Sequence, residues 1–246
     1  MITYINSRNR ESGTNSYFQY NFAKNNIIIP NDITRVVVLQ ASIPKTYYLI
    51  DSTNEFTLTE NEASVNISIL PGNYSEREFR RAVSLQLNQN SPNHWIYSIE
   101  LDLLTYKFIY AVQGNSDVQP SISVNNRISE QLGFENGSIN SFVNNSLVST
   151  DIPNMNLEGT LFIKSDICQN ESNDNVLQEI YTGGNLTNTY IIFENKCPKE
   201  YSKPFSHRGQ QYNFWLTNED GYPIDLNGIN MNITLLLIRD DTSATN

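Results

Sequence analysis

Apolar and polar residues alternate along most of this 246-residue chain, and the period is two far more often than the 3.6 of a helix. In VNISIL (65–70), Val65, Ile67 and Ile69 share one face while Asn66 and Ser68 take the other. That is the pattern of a strand buried on one side. HWIYSIEL (94–101) sets Trp95, Tyr97, Ile99 and Leu101 on one side, and TYKFIYAV (105–112) does the same with Tyr106, Phe108, Tyr110 and Val112. The short link between them predicts a hairpin with an aromatic inner face. ITRVVVLQ (33–40) is almost continuously apolar, as expected of a strand covered on both sides. Shorter strand candidates lie at 17–22, 27–29, 55–59, 121–124, 160–163 and 190–193. Tyr212, Phe214 and Leu216 alternate into the loop NEDGYPIDLNG (218–228), and Ile229, Met231, Ile233, Leu235 and Leu237 alternate out of it. The loop is therefore predicted to connect two antiparallel core strands, although it is longer than a minimal hairpin turn. About ten strands with no helices alternating between them argue against a parallel α/β sheet and for an all-β fold.

One segment breaks the period. In PGNYSEREFRRAVSLQLNQ (71–89), Ser75 is placed to cap a helix over about 74–89 and Glu78 to return its hydrogen bond. Tyr74 can staple onto Phe79. Phe79, Ala82, Val83 and Leu87 fall on one face, and the charged residues fall largely elsewhere, so the helix lies against a sheet. A second, shorter helix is predicted within NRISEQLGF (126–134), stopped by Gly133. No linker composition or repeat divides the chain, so one domain over 1–246 is expected. The stretch 165–209 reads as a loop-rich insertion with one strand inside it, and loops of that length belong to function or to an interface.

Charge narrows the function classes. Sixteen Lys and Arg against 26 Asp and Glu give a formal charge of −10, and Arg80-Arg81 is the only adjacent basic pair. A nucleic-acid surface needs clustered cations to release counterions, so that role is not expected. No apolar run approaches a membrane span, and MITYINSRNR lacks the apolar core of a signal peptide. Cys168 and Cys197, the two cysteines, have no spacing that suits a metal knuckle, and free thiols are expected. Asn-x-Ser/Thr sequons begin at Asn66, Asn73, Asn136, Asn144, Asn170, Asn185 and Asn232, about what a chain so rich in Asn, Ser and Thr gives by chance.

Catalytic chemistry finds little to stand on. His94 and His207 are the only histidines, and neither has a partner spaced for a triad or a metal. TGGN (182–185) lacks the Lys-Ser/Thr of a phosphate-binding loop. The acidic loop 218–228 fails as a helix-loop-helix calcium site in both registers. With Gly221 at the sixth position the ends are Leu216 and Asn227, and with Gly228 they are Pro223 and Thr234, where carboxylates are required. Asp220, Asp225 and Asn227 are better read as turn caps. No catalytic residue, cofactor or metal ligand is assigned.

Four stretches in order then resemble one family: ASIPKTYYLI (41–50), PGNYSEREF (71–79), ISEQLGF (128–134) and DGYPIDLNG (220–228). Together they resemble the penton, or minor capsid, proteins of virophages and Polinton-like viruses, which are related to vertex proteins of giant DNA viruses. The resemblance runs from SRNRES (7–12) to Ile238. It departs from the family pattern at Lys45, where Asn is common, and over 165–209. It implies a single jelly-roll β-sandwich of two antiparallel sheets, with the amphipathic helix in a connection between strands. It also implies five copies closing a fivefold vertex of an icosahedral double-stranded DNA virus, beside double-jelly-roll trimers of a major capsid protein. The protein would be made in the host cytoplasm and end in the virion. Tyr47 and Tyr48 are then candidate subunit contacts. A β-sandwich module binding host glycans or a receptor, and a carboxylate-dependent hydrolase on a jelly roll, stay open as alternatives.

Overall fold

Alternation becomes antiparallel pairing along the chain. The structure, a computed structural model, describes residues 1–51, 54–114, 118–155, 159–168, 175–182 and 189–239. Its first strands are β1 (Ile2–Asn6), β2 (Ser12–Gly13), β3 (Tyr17–Asn21) and β4 (Arg35–Pro44). Next come β5 (Glu55–Glu60), β6 (Ala63–Ser68), helix α1 (Glu76–Asn90), β7 (Ile96–Leu101), β8 (Phe108–Gln113) and β9 (Ser121–Val124). Helix α2 (Ile128–Leu132), β10 (Ser138–Ser141) and β11 (Ser146–Val148) complete the middle of the chain. The last six strands are β12 (Thr160–Ser165), β13 (Val176–Tyr181), β14 (Tyr190–Glu194), β15 (Lys203–Pro204), β16 (Gln211–Thr217) and β17 (Asn232–Ile238).

These elements form two compact units: Met1–Tyr47 with Glu158–Asn246, and Tyr48–Leu157. The first unit is a jelly roll. One sheet runs β1-β17-β4-β14, with β15 also on β4, and the other runs β13-β12-β16-β3-β2. The chain crosses between these sheets at every connection of the eight long strands except the β12–β13 hairpin, as a double Greek key requires. The second unit occupies the connection between β4 and β12, so the amphipathic helix belongs to this inserted unit.

Within the jelly roll, β4 is the central strand. It pairs with β17 from Ser42↔Asn232 to Arg35↔Ile238, with a shift in register between Thr234 and Leu235. That bulge reverses the phase of β4. Val36 and Val38 point inward before it and Ala41 and Ile43 after it, matched across the pair by Leu237, Leu235 and Ile233. Asn195 answers the carbonyls at the bulge, its side chain donating to Val38 O at 3.2 Å and its backbone N–H to Leu39 O at 2.8 Å. In the facing sheet Phe18 stacks on Phe214 with centroids 5.7 Å apart, and Phe22 meets Tyr20 and Tyr212 edge-on. Each such pair adds about 0.5–1.5 kcal/mol to plain burial.

The inserted unit has two sheets, β10-β9-β5-β6 and β11-β8-β7, around a core that includes Phe56, Ile67, Phe79, Tyr97, Tyr110 and Phe134. The β7–β8 hairpin forms as predicted, pairing Ile96↔Gln113 through Leu101↔Phe108. α1 carries the predicted capping box between Ser75 and Glu78 and the Tyr74–Phe79 ring contact. It also covers the outer edge of β7. Ser84 and Asn88 side chains donate to Tyr97 O, and Asn88 Oδ1 accepts from Tyr97 N, so an edge that could recruit a foreign strand is closed. Glu60 is wholly buried, and its carboxylate accepts from Ser91 Oγ (2.7 Å), Tyr97 OH (2.7 Å) and Asn93 N (2.8 Å). This joins β5 to the segment that follows α1.

Three expectations are corrected. Residues 27–29 are not a strand: Asn26, left-handed at φ 60°, ends a 3-10 turn, and Ile27 N–H returns to Phe22 O. Tyr106 does not join the aromatic inner face. It sits exposed at φ 56° in the β7–β8 turn, which Asp102 closes by accepting from Leu104 N and Thr105 Oγ1. β16 and β17 are antiparallel core strands but not partners, because the loop between them carries the chain from one sheet to the other.

Glu60→Ala should cost about 3 kcal/mol, since two buried hydroxyls and a backbone N–H lose their acceptor, and Tyr97→Phe about 1–2 kcal/mol; urea unfolding measures both. Burial raises the hydroxyl pKa of Tyr20, Tyr97, Tyr110 and Tyr212 above the ordinary 10.0. The folded state therefore keeps protons that the unfolded chain releases above about pH 10. Stability from these four groups should be intact below that pH and fall as pH climbs through the raised values. Ultraviolet titration should show a late tyrosine fraction that ionises together with unfolding.

Candidate assembly surface

The segment that sequence alone reads as a loop-rich insertion with one strand inside it, 165–209, supplies three edge elements of the jelly roll, β13, β14 and β15. In β13 a bulge opposite Ile163 and Lys164 interrupts alternation, so Leu177 and Ile180 are both buried although three residues apart. Tyr181 is left 76% exposed. β14 alternates cleanly, with Ile191 buried and Tyr190 and Ile192 outward. β13 pairs only with β12, and β14 only with β4, among the described residues. Both are end strands at the same lateral end of the sandwich, and β14 has no strand on its outer side among the described residues.

Between them lies a groove of about 660 Å³, bounded by Leu177, Glu179, Tyr181, Phe193, Cys197 and Tyr201 among others. Lys196 and Lys203 line its far bank, with Glu179 and Glu194 nearby. The opposite lateral end is formed by β1 and by β2 with β3. Ile2 is 54% and Tyr4 72% exposed there, and Tyr17 stands outward at 6.2 Å from Trp215. A second concavity of about 400 Å³ crosses the outer face of the first sheet from Ile2 and Tyr4 to Glu194 and Lys196.

The acidic loop 218–228 is a connection with its polar groups turned to its own backbone. Asn218 Oδ1 accepts from Tyr222 N and Asp225 Oδ1 from Asn227 N, each at 2.8 Å. Asn227 is left-handed at φ 48° and its side chain donates to Thr46 O, while Thr46 Oγ1 donates to Leu226 O at 2.7 Å. Ile224 and Leu226 are buried, and Glu219 and Asp220 face solvent. The expected turn cap is seen at Asp225, whereas the Asn227 side chain ties the loop to Thr46 and Asp220 is solvent-facing. Among the described residues no group of three or more His, Cys, Asp or Glu is placed to hold a metal.

The other singled-out residues scatter. Tyr47 is buried, 3% exposed, and so cannot face another subunit, while Tyr48 is 46% exposed. His94 is exposed at φ 57°, and the His207 ring packs edge-on against Phe205. Cys168 is buried and Cys197 exposed, both as free thiols. The Gly183-Gly184 pair and the sequons at Asn170 and Asn185 lie outside the described residues. Arg10 is a brace, donating to Gly13 O and Ser7 O in the connection before β3. Sequence reasoning missed β1 and β13, one at each lateral end, as well as β2, β10, β11 and β15.

No family model matches the chain, and no curated protein matches it. Among solved structures it is similar to the crystal structure of the selenomethionine-labelled mavirus penton protein, at 11% identity over 96% of this chain and 98% of that one, with a TM-score of 0.47. It is also similar to the D1-D2-D3 domains of the flagellar cap protein FliD from Escherichia coli, at 10% identity over 98% of this chain and 57% of that one, with a TM-score of 0.18. Neither score is high enough to bear on function. Asp225→Ala should lower stability by about 1 kcal/mol through loss of the turn bond, and millimolar calcium should leave the melting temperature of the wild-type chain unchanged.

Proposed function

We propose that this chain is a structural capsid protein that closes the fivefold vertices of an icosahedral double-stranded DNA virus as a ring of five copies. The observation that carries this reading is, among the described residues, a jelly roll of eight long strands whose end strands carry exposed aromatic residues at both lateral ends. A sandwich whose two ends differ joins head to tail, and a head-to-tail contact closes into a ring when the rotation allows. The four motifs that resemble penton proteins support it further, because each takes a defined structural place: 41–50 runs from the end of β4 into the inserted unit, 71–79 opens α1, 128–134 is α2 with its Gly133 cap, and 220–228 links the two sheets. On this reading the surrounding partner is a double-jelly-roll major capsid protein, the site of action is the virion, and Tyr48 is an available contact.

Light scattering on the purified chain tests the proposal. A ring of five would have a mass of about 140 kDa against 28.1 kDa for one copy, and negative stain should show it as closed pentagons. A chain that stays monomeric at high concentration, and forms no rings when major capsid protein is added, contradicts it.

A further inference from the structure

We infer that the groove between β13 and β14 receives the β1 edge of a second copy of this chain; the inference rests on the vertex reading and names the surfaces of its ring contact. The first argument is chemical. β1 and β14 are the two end strands of one sheet, each paired on one side only among the described residues, and the natural complement of an open strand edge is another strand edge.

The second argument is geometric. Copies related by rotation about an axis along the strands meet at equal levels, and the registers fix those levels. Tyr4 lies in one row with Thr234, Gln40 and Glu194, running across the sheet from β1 to β14. Ile2 lies in the row of Leu236 and Val37, one residue from Val36, which Lys203 opposes. The exposed side chains of β1 therefore stand at the same level as the groove residues Glu194 and Lys203 on the far side of the sandwich. A neighbour moved sideways around such an axis brings Ile2 and Tyr4 to the groove mouth.

The third argument is area. At about 200 Å² per large side chain, the exposed fractions of Met1, Ile2, Tyr4 and Tyr17 amount to about 450 Å², and those of Tyr181, Tyr190, Ile192 and Tyr201 to about 500 Å². A standard interface covers about 800 Å² per partner, a little over half of it apolar. The two ends of this sandwich thus match each other and the requirement.

Cys197 lines the groove and is exposed in the single chain, whereas Cys168 is buried and serves as an internal control. The test is maleimide labelling of the full-length protein, read by mass spectrometry, alongside Tyr4→Arg and Tyr201→Arg. In assembled wild-type protein Cys197 should react at least tenfold more slowly than in either variant. Each variant should be monomeric with an unchanged circular dichroism melt, and an equimolar mixture should stop at dimers of about 56 kDa, because only one good contact can form between the two. Rings in which Cys197 reacts at the monomer rate, or variants that still assemble, overturn the assigned surfaces and leave the capsid reading standing. A wild-type chain that never assembles overturns both.

Discussion

The pairing of β4 with β17 is the interaction on which the rest of the jelly roll depends. It spans seven pairs, contains the bulge that sets which residues of β4 face the core, and fastens β1 on one side and β14 with β15 on the other. Without that bulge, one half of β4 would turn its apolar set outward, because a strand's faces alternate with period two. Asn195 holds the bulge from just beyond β14, so the element that satisfies the core strand also builds one wall of the groove. Core register and candidate interface are consequences of one arrangement.

The inserted unit manages its polar groups differently. Its α1 closes the β7 edge with Ser84 and Asn88, and Glu60 is buried with three donors around its carboxylate. The closure is confined to β7, since β6, β10 and β11 end their sheets just as β1 and β14 end theirs among the described residues.

Much of the fold was legible in the sequence wherever alternation is unbroken. Tyr212, Phe214 and Leu216, then Ile233, Leu235 and Leu237, are all buried as their spacing requires, and α1 begins at the cap its sequence signals. What escaped has physical reasons. The division into two units depends on β4 and β12 entering the two sheets of one sandwich across more than a hundred residues, and no local pattern encodes that. β13 escaped because its bulge puts Leu177 and Ile180 out of step, and β1 because its outward positions are the apolar Ile2 and Tyr4. Those same anomalies mark the candidate surface. Exposed apolar residues on an edge look like noise to a periodicity argument and like a contact once the topology is known. Tyr47 shows the converse, an aromatic that motif position made a contact candidate and burial removed.

The most direct measurement is a reconstruction of the virus particle at a resolution that traces strands. It should place five copies of this chain around each fivefold axis, with the β1-β17-β4-β14 sheet of one copy continuing at its edge toward the next. Density at the vertex that fits another chain, or this chain elsewhere in the shell, would contradict the account.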